Sequence, residues 1–456
     1  MKILLISSNI ANTPYTIYPL GMSMVAAALS REGYDVSQVD FLKNEKSLEH
    51  LSRDLKDAQP NIVGISIRNI DNVNLMNEQR YIDTVSNIVK MIKENSDAVI
   101  VLGGSGFSIL PEVILEETGA DYGIVGEGEV LMVDFVKGIE KGIYPKEKCV
   151  RSKPSLLERD IPSALYDPEL MSFYLKSGNV ASVQTKRGCL HHCIYCTYPI
   201  LEGSEIRSRN PKEVVDDVEL LRDKHNAKLI FFTDSVFNDA KGHYIKVVEE
   251  MKRRNLNTPW TAFFTPKGLN DDVVAMMKET GLQAAELGSD ASTDTTLRKL
   301  GKSFRFKDII ESNDLFVKHK VSVAHYYMFG CPGENEDTVR EGIENIKNLT
   351  NSVSFMFMGI RILSGTPLVK LALREGVISP DDALLEPVYY IAPKLDKEWL
   401  EKTLTEGFKG IRSCIFPADA LDASLQFLHK IGYSGCVWDM LLEGKKRRKK
   451  RVRNVK

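Results

Sequence analysis

Short β-branched and aliphatic runs alternate with amphipathic stretches over residues 1–140. The runs 3–7, 35–39, 61–67, 98–102 and 121–125 read as strands. The segments 21–32, 46–57, 77–95, 111–118 and 128–140 carry apolar positions at helical spacing. Runs apolar on both faces, such as Ala98-Val99-Ile100-Val101-Leu102, suit a parallel sheet covered on both sides. Five strands alternating with helices predict a doubly wound α/β domain over 1–140, its ligand beyond the C-terminal strand ends. Residues 141–178 hold Pro145, Pro154, Pro162 and Pro168 without a clear period and read as a linker. From 179 to 370 a strand-then-helix pattern recurs. The segments 180–183, 229–234, 260–264, 284–290, 324–330 and 354–361 give six strands, a partial (β/α)6 barrel with chemistry expected at the C-terminal strand ends. Residues 371–444 read as a mostly helical extension, whose aromatic residues such as Trp399, Phe408 and Trp438 are more often core than pocket lining.

Composition narrows the class. A chain of 456 residues with 43% apolar and 27% charged residues is a soluble globular protein of two or three domains. No apolar run approaches the ~18 residues of a membrane span. The opening Met1-Lys2-Ile3-Leu4-Leu5-Ile6 is too short for a signal sequence and reads as a buried first strand. Seven cysteines in such a chain suggest a reducing compartment, so the cytoplasm is expected and a disulfide framework is not. Residues 445–456 hold nine Lys or Arg and no acid, a disordered basic tail by pattern. Such a tail is either a solubilising segment or a weak peripheral contact with anionic membrane.

The chemistry concentrates in Lys186-Arg187-Gly188-Cys189-Leu190-His191-His192-Cys193-Ile194-Tyr195-Cys196. Three thiolates at C-x3-C-x2-C spacing can hold three irons of a [4Fe–4S] cluster. No fourth cysteine follows at ligand spacing, which leaves one iron open for chemistry. A structural zinc knot would take His191 or His192 as its fourth ligand.

The loop closely resembles the cluster motif of radical S-adenosylmethionine (SAM) enzymes, including the aromatic Tyr195 before the last cysteine. That resemblance implies a cluster on Cys189, Cys193 and Cys196 whose open iron chelates SAM, and an external electron donor of flavodoxin or ferredoxin type. It also carries over further residues one by one. Asp290 falls where the family has an acid contacting SAM, Gly330 and Pro332 in the glycine–proline turn flanking adenine, and Lys302 and Arg361 within reach of SAM or substrate. A surface ion pair is the competing reading for the last two. Asp234 and Asn238 face the same mouth, with substrate and structural roles both open. Cys331 reads as a small filler.

The strand ends of the first domain add a second signature. Ser66, Arg68, Asn69 and Asp71 follow the third strand, Gly103-Gly104-Ser105-Gly106 the fourth, and Gly126-Glu127-Gly128-Glu129 the fifth, while Gly21 opens the first helix. Missing side chains there let a bulky ligand approach the backbone. Placed before a radical SAM loop, the pair Gly-Gly-Ser-Gly and Gly-Glu-Gly-Glu resembles the cobalamin-binding domain fused to many such enzymes. The D-x-H-x-x-G pattern that supplies a histidine to cobalt elsewhere is absent, and His50 is the one histidine of 1–140. The resemblance then implies a non-ligating residue at the lower corrin face, with Arg68 first and Asn69 second. A salt bridge from Arg68 to Asp71 is the alternative.

The whole resembles the cobalamin-dependent radical SAM enzymes that include methyltransferases and lipid-biosynthesis members. It implies methyl transfer to an unactivated carbon of a small molecule through methylcobalamin and a 5′-deoxyadenosyl radical. Non-methylating ring formation, contraction or reduction is the alternative within the class. A non-catalytic, metal-stapled protein binding nucleic acid through its tail is the alternative outside it, although no specific nucleic acid is expected. Extension aromatics and the basic tail lean toward an apolar or lipid-like substrate.

Overall fold

The computed structural model describes residues 1–13, 16–151, 161–435, 438 and 440–442. The expected basic tail 445–456, Cys436 and Pro154 lie outside the described residues.

The first sheet holds β1 (Lys2–Ser7), β2 (Asp35–Asp40), β3 (Ile62–Ser66), β4 (Val99–Gly103), β5 (Tyr122–Val125) and β6 (Cys149–Arg151). All pairings are parallel, in the order β2-β1-β3-β4-β5-β6. The sequence predicted five strands. The sixth, β6, falls in the segment read as a linker, because three residues show no alternation to detect. That segment also holds the helix Pro168–Leu175, capped by the Asp167 carboxylate on Leu170 N. Four helices fall within two residues of their predicted bounds; Leu48–Ala58, for example, starts at Ser47, whose hydroxyl accepts from His50 N, whereas the helix expected at 77–95 begins at Ile82 because Arg80 bridges Asp71 instead.

β7 (Val180–Val183) opens the second sheet and is followed by the hairpin β8 (Lys186–Arg187) and β9 (Arg207–Ser208). Then come β10 (Leu229–Phe232), β11 (Trp260–Phe264), β12 (Leu282–Asp290), β13 (Ser322–Phe329) and β14 (Ser352–Met358). β15 (Ile360–Arg361) and β16 (Tyr389–Tyr390) form a small antiparallel pair, and β17 (Cys414–Ile415) ends the series. The curved sheet is parallel in the order β17-β14-β13-β12-β11-β10-β7. It thus has seven strands where six were expected, the seventh coming from the helical extension, where two residues leave no period to read.

Alternation sets the layers. Ala181, Val183, Ile230, Phe232, Ala262 and Leu287 face outward into a core shared with Tyr18, Leu131 and Val136 of the first unit. Val180, Leu229, Phe231, Ala284, Ala324 and Phe355 face inward, where Leu425 and Trp438 of the extension close the floor of the barrel. Of the extension aromatics, Trp438, Tyr390 and Phe408 are core and Trp399 is partly buried, while Phe427 and Tyr433 are exposed. Tyr18 packs against Tyr166 and Tyr174 at 5.6 and 5.7 Å between ring centroids. The sheets therefore meet over continuous apolar contact, with their C-terminal strand ends turned toward one cavity.

Candidate active site between two sheets

The cavity measures about 540 Å³, within the range of small-molecule and cofactor sites. Of the strand-end residues singled out in the sequence, Gly21, Ser66, Arg68, Asn69, Asp71, Gly103, Gly104, Ser105, Gly126, Glu127 and Gly128 all line it. A Cβ on Gly21 would meet nothing within 4 Å, and one on Gly103 nothing nearer than Ile124 O at 3.8 Å. These positions leave a cradle that side chains would fill, which fits a bulky planar ligand such as a corrin. Gly106 is the exception. It sits behind the wall, where a Cβ would come within 3.0 Å of the Asn69 carbonyl carbon, so it serves the close approach of the two loops. Ser105 donates to Arg68 O at 2.7 Å, fixing the backbone that presents Arg68 and Asn69. Ser108, missed in the sequence, accepts from Gly126 N at 2.9 Å and ties the β4 and β5 loops together.

The opposite wall belongs to the barrel: Ser182, Gln184, Arg187, Tyr198, Phe231 and Phe263 among others. Glu127 and Glu129 reach across to it. Arg187, two residues before Cys189, donates to Glu129 Oε2 at 3.2 Å and lies 3.5 Å from Glu127. Arg207 of β9 donates to Glu127 Oε2 at 2.9 Å. Burial opposes the charge of Glu129, but Arg187 outweighs it and holds the carboxyl below its usual range. The glycine–glutamate loop is thus anchored to the hairpin that launches the cysteine loop.

That loop is held from several sides. Gly188 has φ +90°, and a Cβ there would sit 1.9 Å from Glu205 O, so no other residue fits. Cys189 N donates to Gly203 O, Ile194 N to Leu300 O, and Leu368 N to Ile194 O. Upstream, Asp234 accepts from Thr185 N at 2.7 Å and from Lys186 Nζ at 2.8 Å, all three residues being buried. Asn238 holds Thr265 N and two carbonyls. For Asp234 and Asn238 the structural role is the one realised.

Among the described residues no three Cys, His, Asp or Glu groups converge on one metal-ion position, and His192 is exposed. A cluster takes one thiolate per iron, and three cysteines on one clamped loop fit that demand. Burial pushes the Cys196 thiol up to about 12.

Beside Cys193 lies a pair that the sequence offered as two separate contacts. Lys302 and Asp290 form an ion pair, with the ammonium 5.3 Å from the centre of the Tyr195 ring and 5.8 Å from that of Phe304. Burial works against the Lys302 charge, but Asp290 prevails and its pKa lies well above the ordinary lysine value. Asp290 has φ +60° at an irregularity in the β12–β13 ladder, which turns it toward the cysteine loop. Gly330, Cys331 and Pro332 are buried, and the turn is held by Glu334, which accepts from Gly330 N at 2.6 Å and Cys331 N at 3.0 Å. Burial pushes the Glu334 carboxyl up to about 7.

Arg361 departs from expectation. Instead of reaching the mouth, its guanidinium donates to Asp71 at 2.8 Å and to the carbonyls of Ile362 and Leu384, with both charged side chains 2% exposed. The buried partner of Asp71 is therefore Arg361 of the barrel, and Arg68 stands exposed in the cavity wall.

Comparison with known proteins agrees with this geometry. Residues 6–136 match the B12 binding domain and residues 183–346 the radical SAM superfamily. An uncharacterized methyltransferase of Pyrococcus horikoshii is 27% identical over 346 residues, 73% of either chain. Tryptophan 2-C-methyltransferase of Streptomyces laurentii is 23% identical over 444 residues, covering 80% of this chain and 73% of the relative. In fold, the chain is similar to the radical SAM methyltransferase TsrM of Kitasatospora setae with cobalamin and [4Fe–4S] cluster bound, at a TM-score of 0.85, 21% identity, and coverage of 100% and 99%. A B12-binding sheet and a radical SAM barrel facing one cavity, with a three-cysteine loop at its edge, place the chain in the family of radical SAM enzymes that carry an N-terminal B12-binding domain.

Proposed function

We propose that the protein is a C-methyltransferase acting on an unactivated carbon of a small molecule. The observation that carries this reading is the single cavity shared by the cobalamin-type strand ends and the barrel mouth. When bound, the cluster would supply reductive cleavage of SAM and cobalamin a transferable methyl group. The chain's part is to hold, orient and shield. Cys189, Cys193 and Cys196 hold the cluster. Lys302 and Asp290, adjacent to Cys193, are placed to meet the amino-acid end and ribose of SAM, with Tyr195 packed beneath the ammonium. Arg68 and Asn69, exposed in the cavity wall, would offer a bound corrin non-ligating polar groups. The paired carboxylates and guanidinium groups at the cavity rim neutralise one another and tie the two walls together. An external one-electron donor and a reducing, cytoplasmic setting complete the assignment.

The test is anaerobic reconstitution with iron, sulfide and hydroxocobalamin, followed by reaction with methyl-labelled SAM. About four irons and one cobalt per chain, with label in the product, are expected. Deoxyadenosine without label in product would replace methylation by another radical reaction of the same family. Iron without cobalt would remove the account of the first sheet.

A further inference from the structure

β11 is buried along its length except at one residue: Phe263, 36% exposed on the concave face of the barrel. A ring open on a cavity wall, with the Phe231 ring against it, offers a partner an aromatic contact inside a built pocket. Its neighbours define what that partner is. Phe231 meets it edge-on at 5.1 Å, and Ser182, Thr233 and Leu363 complete this end of the cavity. In register beside Phe263, the Glu286 carboxylate is already engaged by Tyr326 Oη at 2.5 Å and Trp438 Nε1 at 2.8 Å. Among the described residues, Arg187 is the one basic side chain on the barrel side of the cavity, and Glu129 and Glu127 occupy it. On the barrel wall a phosphate or carboxylate would find Arg187 already paired, whereas a flat apolar ring would find one aromatic face and one edge.

We propose that this end of the cavity is the substrate seat, and that the substrate presents an uncharged aromatic ring stacked on Phe263. The assignment rests on the methyltransferase reading above and adds the chemical class of its substrate. Phe263 acts as a specificity determinant: it orients the ring's reactive carbon toward the cavity while Phe231 blocks the other tilt.

The experiment is equilibrium dialysis of the anaerobic holoenzyme, loaded with cluster and cobalamin, against 2-naphthol and, separately, cytidine 5′-monophosphate. Wild type is expected to bind 2-naphthol and not the nucleotide. Phe263→Tyr, which keeps the ring, should stay within about threefold, and Phe263→Leu, which keeps the bulk but loses the ring, should weaken binding about tenfold. Binding of 2-naphthol unchanged in Phe263→Leu, or binding of the nucleotide in preference to it, would overturn the proposal. The absorption change of bound cobalamin on adding SAM is recorded in the same samples. Its absence would count against methyl transfer, and the dialysis result would still decide the ring seat.

Discussion

Replacing Arg187 by methionine tests whether the two sheets are joined by charge at the mouth of the cavity. The Arg187 side chain is 9% exposed, and Glu129 and Glu127 are 11% and 16% exposed. Methionine keeps the apolar stem and removes the guanidinium, stranding the Glu129 carboxylate; Glu127 retains Arg207. Breaking one side of a buried pair costs about 3–5 kcal/mol, and the retained Arg207 puts the expectation near the lower figure. Removing both charges in Arg187→Met/Glu129→Met should recover stability to within about 1 kcal/mol of the wild type, because an apolar pair of similar volume carries no uncompensated charge. Urea unfolding of the loaded enzyme, followed by circular dichroism, measures each variant. A single variant within about 1 kcal/mol of wild type, or a double variant no better than the single, would refute the reasoning. Iron content adds a second readout, since Arg187 adjoins Gly188 and the cysteine loop.

Four further outcomes follow from the same structure. Gly188→Ala should lose cluster iron, because its Cβ would stand 1.9 Å from Glu205 O at φ +90°; iron analysis of the purified variant decides this. Cys193→Ala should abolish SAM cleavage with the fold intact, and retained deoxyadenosine formation would remove the cluster assignment. Asp71→Ala should cost about 3–5 kcal/mol by stranding Arg361, with most of it recovered in Asp71→Ala/Arg361→Met, as read by urea unfolding. Glu334 keeps its proton up to about pH 7 in the folded state, against an ordinary 4.5. The folded state then binds more protons than the unfolded chain between these values, so stability falls as pH rises through that window. The wild type should lose about 3 kcal/mol relative to Glu334→Gln between pH 4.5 and 7; parallel pH profiles of the two proteins would show the assignment wrong.

What could be read in advance divides by range along the chain. β1, β3 and β4 were legible because their residues are apolar on both faces, and the cysteine loop because three ligands lie within eight residues. β6 and β17, at three and two residues, carry no period, and only pairing with a neighbour makes them strands. The cobalamin-side cradle followed from glycines at strand ends. The ion pairs did not: Asp71 and Arg361 are 290 positions apart, and nothing local marks either as the other's partner. Lys302 and Asp290 were each placed near the mouth, but their mutual pairing depends on the φ of +60° at Asp290, which no hydrophobic pattern encodes. Asp234 looked equally suited to substrate until the buried Lys186 beside it came into view.

The Asp71–Arg361 contact bears on how the protein unfolds. Asp71 follows β3 of the first sheet and Arg361 lies in β15 of the barrel half, and parting them would leave two charges in apolar surroundings. The cavity wall is complete only once that contact has closed, and its lining comes from both halves of the chain. The two halves are therefore expected to unfold in one cooperative transition rather than one after the other.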